Sequence, residues 1–326
     1  MSSPVFASAE FAGSAGAELV DPLRRHSTAT DQVFRGAILV ATDAGRASAA
    51  ALRVASALSA RDGLRVEAIL VEEDLPALPD VCLGARALRL ECLPESTRLG
   101  RVRRQLCTIL EGSSWKLRVG FGRMGPTIAR AARTSRASLI LMGLSREGLA
   151  RRLLGTGAVG RILQLAQKPV LAVPSTGRVL PHAAVAAIDF SPASVRAARE
   201  ARDLLARPGT LHLVHVRPAA AENAEGIASW DAIDDADATI KLRELACELS
   251  TDGVTVLPRM ESGALIESLS RVMSETGAEL IACGARNQTS IERHLLGYVP
   301  LQLVLNAECS ILIAPAVSCG AFEELR

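Results

Sequence analysis

Short apolar runs alternate along the chain with segments whose apolar positions return every three or four residues. The first kind of pattern predicts strands and the second predicts helices. Residues 38–40 form a continuous apolar run, and 47–60 carry dense alanine and leucine at helical spacing. Residues 64–71 alternate as a second strand through Leu64, Val66, Ala68 and Leu70. Residues 73–95 carry three prolines and predict no element. A helix follows over 98–111, a strand over 116–121, and a helix that Gly125-Pro126 opens and that runs to 133; proline is tolerated in a first helical turn. The pattern continues with a strand at 138–142, a helix at 158–166 and a short strand at 169–173.

The same order is then written again. Strands are predicted over 184–188, 210–216, 254–259, 279–283 and 310–314. Helices are predicted from Ser191-Pro192, over 236–249, 264–276 and 300–306, with 218–235 read as an Ala- and Asp-rich connection. The hydroxyl of Ser191 is a predicted cap with proline behind it. Two markers fix the repeat. The first strand of each copy runs into an aspartate, Asp43 and Asp189, 146 residues apart. The fourth runs into a glycine, Gly143 and Gly284, 141 residues apart. Tandem copies of one unit follow. Near-continuous apolar strands alternating with helices predict α/β architecture, two doubly wound parallel sheets of five strands each, covered on both faces. The expected division is a flexible tail over 1–34, domains over 35–175 and 181–316, and a C-terminal tail over 317–326.

Composition narrows the function classes. The chain has 326 residues, 49% apolar and 22% charged, with a net charge of +2. Neither a nucleic-acid nor a membrane partner is expected from that charge. Aromatic residues are 3%, too few for base-stacking platforms. Basic residues are 34 Arg and 3 Lys, which reads mainly as coding bias. No apolar run nears the roughly 18 residues of a membrane helix, and the first 34 residues lack the basic start and apolar core of a signal peptide. Seven cysteines without a CxxC pair fit free thiols in a reducing cytoplasm. Cys283 and Cys309 sit in apolar, strand-like context and read as small buried hydrophobes.

Ligands of doubly wound sheets sit beyond the carboxyl ends of the strands. Asp43 and Asp189 belong to that edge, as do the glycine-bearing loops that begin at Gly143 and Gly284. Such a loop entering a helix offers N–H donors and a positive dipole end to phosphate. For the two aspartates, a helix-capping or loop-bracing role stands level with ligand contact. Arg146, Arg151 and Arg152 read as solvated charges more than as phosphate ligands. His212 and His215, three apart on one strand, point to opposite faces and make no metal pair; His294 reads as a surface residue. No paired carboxylates, nucleophile motif, P-loop or metal-ligand cluster is present, so neither catalytic nor metal residues are assigned.

In these markers the chain resembles the universal stress protein family in its tandem two-domain form. The resemblance covers nearly everything between the tails. It implies a Rossmann-like fold of the adenine-nucleotide alpha-hydrolase type, and a cytoplasmic stress-response role exercised by binding and regulation without catalysis. It also implies ATP as ligand of many members, held by a strand-one aspartate and a Gly-x2-Gly-x9-Gly-[Ser/Thr] loop. Asp43 and Asp189 match the aspartate. In the first copy Gly143 opens the loop, Arg146 replaces its second glycine, and Gly155-Thr156 closes it one residue early, with Gly157 following. In the second, Gly284 and Gly297 keep the spacing, while Asn287 and Tyr298 replace the second glycine and the hydroxyl, and Pro300 removes a donor. The first copy is therefore the favoured ATP site. The resemblance further implies that the two last strands pair across a pseudo-twofold axis; a homo-oligomer is a further expectation. The alternative function is a nucleotide-independent assembly protein with degenerate loops.

Overall fold

A computed structural model describes residues 36–72, 97–110, 115–144, 158–217, 228–285 and 309–315. The first half supplies β1 (Ala37–Ala41), α1 (Arg46–Asp62), β2 (Val66–Glu72), α2 (Arg98–Leu110), β3 (Lys116–Phe121), α3 (Met124–Thr134), β4 (Ala137–Leu144), α4 (Ala158–Ala166) and β5 (Val170–Pro174). The second supplies β6 (Ala183–Ala187), α5 (Pro192–Leu204), β7 (Gly209–Arg217), α6 (Ala228–Leu249), β8 (Val254–Ser262), α7 (Leu265–Thr276), β9 (Leu280–Gly284) and β10 (Ser310–Ala314).

The strands form one ten-stranded sheet in the order β3-β2-β1-β4-β5-β10-β9-β6-β7-β8. Each half is a parallel five-stranded sheet, and the order of the second mirrors that of the first. The halves are joined where β5 meets β10 antiparallel, with Ile311 opposite Ala172, Leu312 opposite Leu171 and Ile313 opposite Val170. Leu171 and Leu312 are 141 residues apart, the spacing of the marker glycines, so a pseudo-twofold axis passes between them. Pairing in this way removes two apolar sheet edges from solvent.

Side chains alternate across the sheet, as strand geometry requires. Ile38, Val40, Leu139, Leu141, Leu171 and Leu312 face the core shared with α1, α2, α5 and α6. Leu39, Ile140, Met142, Val170 and Ile311 face the core shared with α3, α4 and α7. The strands at the join are shut off from water, with Val170, Val173, Ile311, Leu312 and Ile313 fully buried. On the first face α1 and α5 approach each other across the axis. Arg61 near the end of α1 donates to the carbonyls of Leu205 (2.7 Å) and Asp203 (2.5 Å) at the end of α5, cations capping a helix C-terminus.

Three local readings change. The 218–235 connection is shorter than expected, because α6 begins at Ala228. No glycine or proline follows Gly226 before the helix, so nothing stops it from propagating toward its N-terminus. Helix α3 starts at Met124, with Pro126 inside its first turn. Gly143 and Gly284 do not follow their strands but lie within them, Gly284 as the last residue of β9. The expected cap is present: the amide of Ser194 donates to the Ser191 hydroxyl at 3.2 Å. The helix expected over 300–306 lies outside the described residues.

Candidate functional site

The loop between β1 and α1 leaves the carboxyl edge of the sheet. It turns back through Ala44, held at φ +65, a left-handed conformation that costs a residue with a Cβ about 1–2 kcal/mol. The Asp43 side chain supports the turn. Its Oδ1 accepts from the Gly45 amide (2.8 Å) and from the Ser48 hydroxyl (2.9 Å). One carboxylate oxygen is thus engaged twice. Among the described residues the other accepts no hydrogen bond, and the side chain is exposed. Helix α1 has Gly45 at its N-cap, with no side-chain cap; Asp43 instead ties the Gly45 amide and the Ser48 hydroxyl together ahead of the first turn.

Gln105 of α2 clamps the same loop from the side. Its Oε1 accepts from the Thr42 hydroxyl (3.3 Å) and its Nε2 donates to the Gly45 carbonyl (3.1 Å). Thr42 in turn accepts from the Ala44 amide at 3.3 Å.

The second half repeats the turn with different bracing. Asp189 Oδ1 accepts from the Ser191 amide at 3.0 Å, and Phe190 takes the left-handed place of Ala44 at φ +58. Ser194, the counterpart of Ser48, accepts from the Asp189 amide and donates to the Ser191 carbonyl. Ile188 stands where the first half has Thr42, so no hydroxyl is available. Instead His215 Nδ1 donates to the Ile188 carbonyl at 2.8 Å, and its ring packs on Phe190 with centroids 4.9 Å apart. The strand-end histidine therefore braces the loop. His212 lies half-buried, and burial together with Arg259 lowers its pKa.

The marker glycines meet the helices that follow the aspartates. A Cβ on Gly143 would lie 2.4 Å from the Ser48 amide nitrogen and 2.5 Å from the Ala47 carbonyl carbon. On Gly284 it would lie 2.6 Å from the Ser194 nitrogen and 2.7 Å from the Ala193 carbonyl carbon. Both glycines let the end of the fourth strand of each half press against the first turn of the helix after its first strand. Each half thus brings its Asp, Ser and Gly together: Asp43, Ser48 and Gly143; Asp189, Ser194 and Gly284. Gly155, Thr156, Gly157 and Gly297 lie outside the described residues, as do Arg146, Arg151, Arg152 and His294.

Two braces escaped the sequence reading. The serine five residues beyond each aspartate is a repeated signal that was there to be read. Gln105 carries no such signal, because its contact is set by how α2 packs. Cys283 is buried next to Asp189; burial first, then that carboxylate, pushes its thiol up to about 12, so it stays protonated and unreactive. Cys309 is partly buried, and burial pushes it up to about 11. Among the described residues no helix is long and apolar enough to cross a membrane.

A chain with these duplicated carboxylate turns at the strand ends belongs to the doubly wound α/β class, whose ligand sites lie beyond the carboxyl ends of the strands. The model of the universal stress protein family matches residues 35–174 and again 182–315. The chain belongs to that family. Universal stress protein MJ0531 of Methanocaldococcus jannaschii is 29% identical over 135 residues, covering 38% of this chain and 76% of that protein. Universal stress protein G of Escherichia coli O157:H7 is 25% identical over 125 residues, covering 37% of this chain and 87% of that protein. A universal stress protein from Archaeoglobus fulgidus DSM 4304 shares the fold across both halves, with a TM-score of 0.57 at 19% identity, covering 86% of this chain and 98% of that one. The functionally unknown protein PA1789 of Pseudomonas aeruginosa PAO1 does so with a TM-score of 0.60 at 16% identity, over 87% and 94%.

Proposed function

We propose that the protein is a cytoplasmic stress-response regulator that binds ATP at the carboxyl edge of its first half and acts through that binding, without catalysis. One observation carries the reading: Asp43 is exposed at the strand ends and fixed through Oδ1, while its other oxygen accepts no hydrogen bond among the described residues. A carboxylate held in this way is an oriented acceptor for a sugar hydroxyl, with little rotamer freedom left to lose on binding. Gly143 is the first residue of the proposed loop, and Gly155, Thr156 and the Gly157 amide are its phosphate-facing end. The second half offers Asp189, Gly284 and Gly297 in the same roles. There Phe190, packed on His215, takes the place of Ala44, and the sequence lacks the closing hydroxyl. The first half is therefore the favoured site.

Calorimetry with ATP tests this. Asp43→Asn keeps an acceptor for Gly45 and Ser48 but replaces the second acceptor oxygen by an amide donor. Losing one hydrogen bond to a charged group costs about 1.5–3 kcal/mol, so ATP binding weakens about tenfold or more. Affinity unchanged in Asp43→Asn and lost in Asp189→Asn would place the site in the other half.

A nucleotide-independent assembly role is the second reading. It is favoured by the marker glycines, whose packing against α1 and α5 accounts for them without any ligand. Wild-type protein that neither carries nor binds adenine nucleotide would decide for it.

A further inference from the structure

Helix α5 carries a carboxylate where its counterpart carries a hydrocarbon. Glu200 stands six residues beyond Ser194, as Val54 stands six beyond Ser48, and both positions are buried. Val54 belongs to the apolar core of its face. Among the described residues, Glu200 is the one buried side chain with an atom, Oε2, that has no hydrogen-bond partner. A place shaped for an apolar side chain supplies no donor for a second carboxylate oxygen. An ionised group there is desolvated and only half matched.

The charges around Glu200 come from few elements. Within its own helix, Arg196 pairs with Oε1 at 2.8 Å, and Asp203, three residues on, opposes a second negative charge. From outside the helix Lys168, in the turn before β5, attracts it. Strands β6, β9 and β10 beneath α5 carry no acidic or basic side chain, and Cys283 of β9 turns to the other face. Strand β7 turns Leu211 and Leu213 to the face of α5, so His212 points away. His215 lies at the opposite end of α5, against Ile188. Burial outweighs the two cations and sets the pKa at about 7. The same end of α5 is where the halves touch: Arg61 of α1 donates to the carbonyls of Asp203 and Leu205.

We propose that Glu200 is a proton-operated lock on this contact between the halves. Protonated, it lets the end of α5 seat on the sheet beneath Arg61. Ionised, it favours an opened end, in which the carboxylate reaches water and the Arg61 contact is broken. The opened carboxyl returns to its ordinary value of 4.5, below the about 7 of the closed one. Closure is therefore firmest below pH 4.5 and weakens as the pH rises to about 7. Between pH 6 and pH 8 the open population rises about tenfold.

Hydrogen exchange of the full chain at about pH 6 and pH 8, scaled for the intrinsic rate at each pH, tests this. Peptides spanning residues 198–206 are expected to open about tenfold more at the higher pH, with β1 and β4 still protected on that timescale. Glu200→Gln and Glu200→Val, the latter copying the first half, hold the change within about twofold. Glu248→Gln, a surface carboxylate, leaves it intact. Arg61→Gln opens the same peptides already at the lower pH. Circular dichroism confirms that the variants remain folded. Carbon-13 titration of the wild type needs no variant, and one glutamate carboxyl is expected with a midpoint of about 7. Ordinary midpoints for every glutamate overturn the lock, as does a pH effect that persists in Glu200→Gln. Exchange of the α5 end only together with β1 and β4 overturns it too, since the proton then acts on global unfolding alone. No effect of Arg61→Gln overturns it as a contact between the halves.

Discussion

At the scale of single residues, the positions that mark the repeat also hold the backbone in shape. A Cβ at Gly143 or Gly284 would lie 2.4–2.7 Å from backbone atoms, and backbone does not step aside as a flexible side chain would. Gly143→Ala and Gly284→Ala are therefore each expected to destabilise the fold by about 1–3 kcal/mol, read as a lower midpoint of urea unfolding. A midpoint unchanged by either would show that the strand end has room to shift. Glu200 gives a second residue-scale test. It is 1% exposed in α5, and its Oε1 is paired with Arg196 at 2.8 Å while Oε2 has no hydrogen-bond partner among the described residues. Burial outweighs the attraction of Arg196 and raises its pKa from 4.5 to about 7. Between those values the folded chain keeps a proton that the unfolded chain has released. Stability from this group is thus full below pH 4.5 and falls as the pH rises to about 7. Glu200→Gln removes that loss, on the order of 2–3 kcal/mol at pH 8 and near zero at pH 4.5. Melting curves at the two values check it; equal effects at both would contradict the burial argument.

At the scale of elements, periodicity made the strands and most helices legible, because burial on both faces leaves short apolar runs that few other structures produce. Strand β3 and strand β10 fall where the pattern places them, at 116–121 and 310–314. The start of α6 was not legible, since alternating Ala and Asp has no apolar stripe to announce a helix. The site was legible only in part. Asp43 and Asp189 are visible as the residues that end apolar runs, and the structure gives them turn-bracing partners. Gln105 reaches the loop only because α2 lies beside α1, and nothing along the chain encodes that. The same limit applies to the join, whose register depends on two strands 141 residues apart. Leu312 sits at the centre of that join with no exposed surface. Leu312→Ala is expected to cost about 2–5 kcal/mol, and Leu171→Ala a similar amount. A cost below about 1 kcal/mol would mean the join collapses around the cavity or is not packed as described.

At the scale of the molecule, one sheet runs through both halves, and each hydrophobic core contains residues from both. The halves should therefore unfold together, in a single transition seen alike by near- and far-ultraviolet circular dichroism. Duplication within one chain also frees the halves to diverge. The first braces its turn through Thr42 and Gln105; the second braces it through His215 and Phe190 and bridges its helices through Arg199 and Glu248. The measurement that bears most directly on the central claim is ATP calorimetry on the wild type, Asp43→Asn and Asp189→Asn. The account predicts binding in the wild type, a loss of about tenfold or more in Asp43→Asn, and little change in Asp189→Asn. Binding absent from the wild type, or lost only in Asp189→Asn, would contradict it.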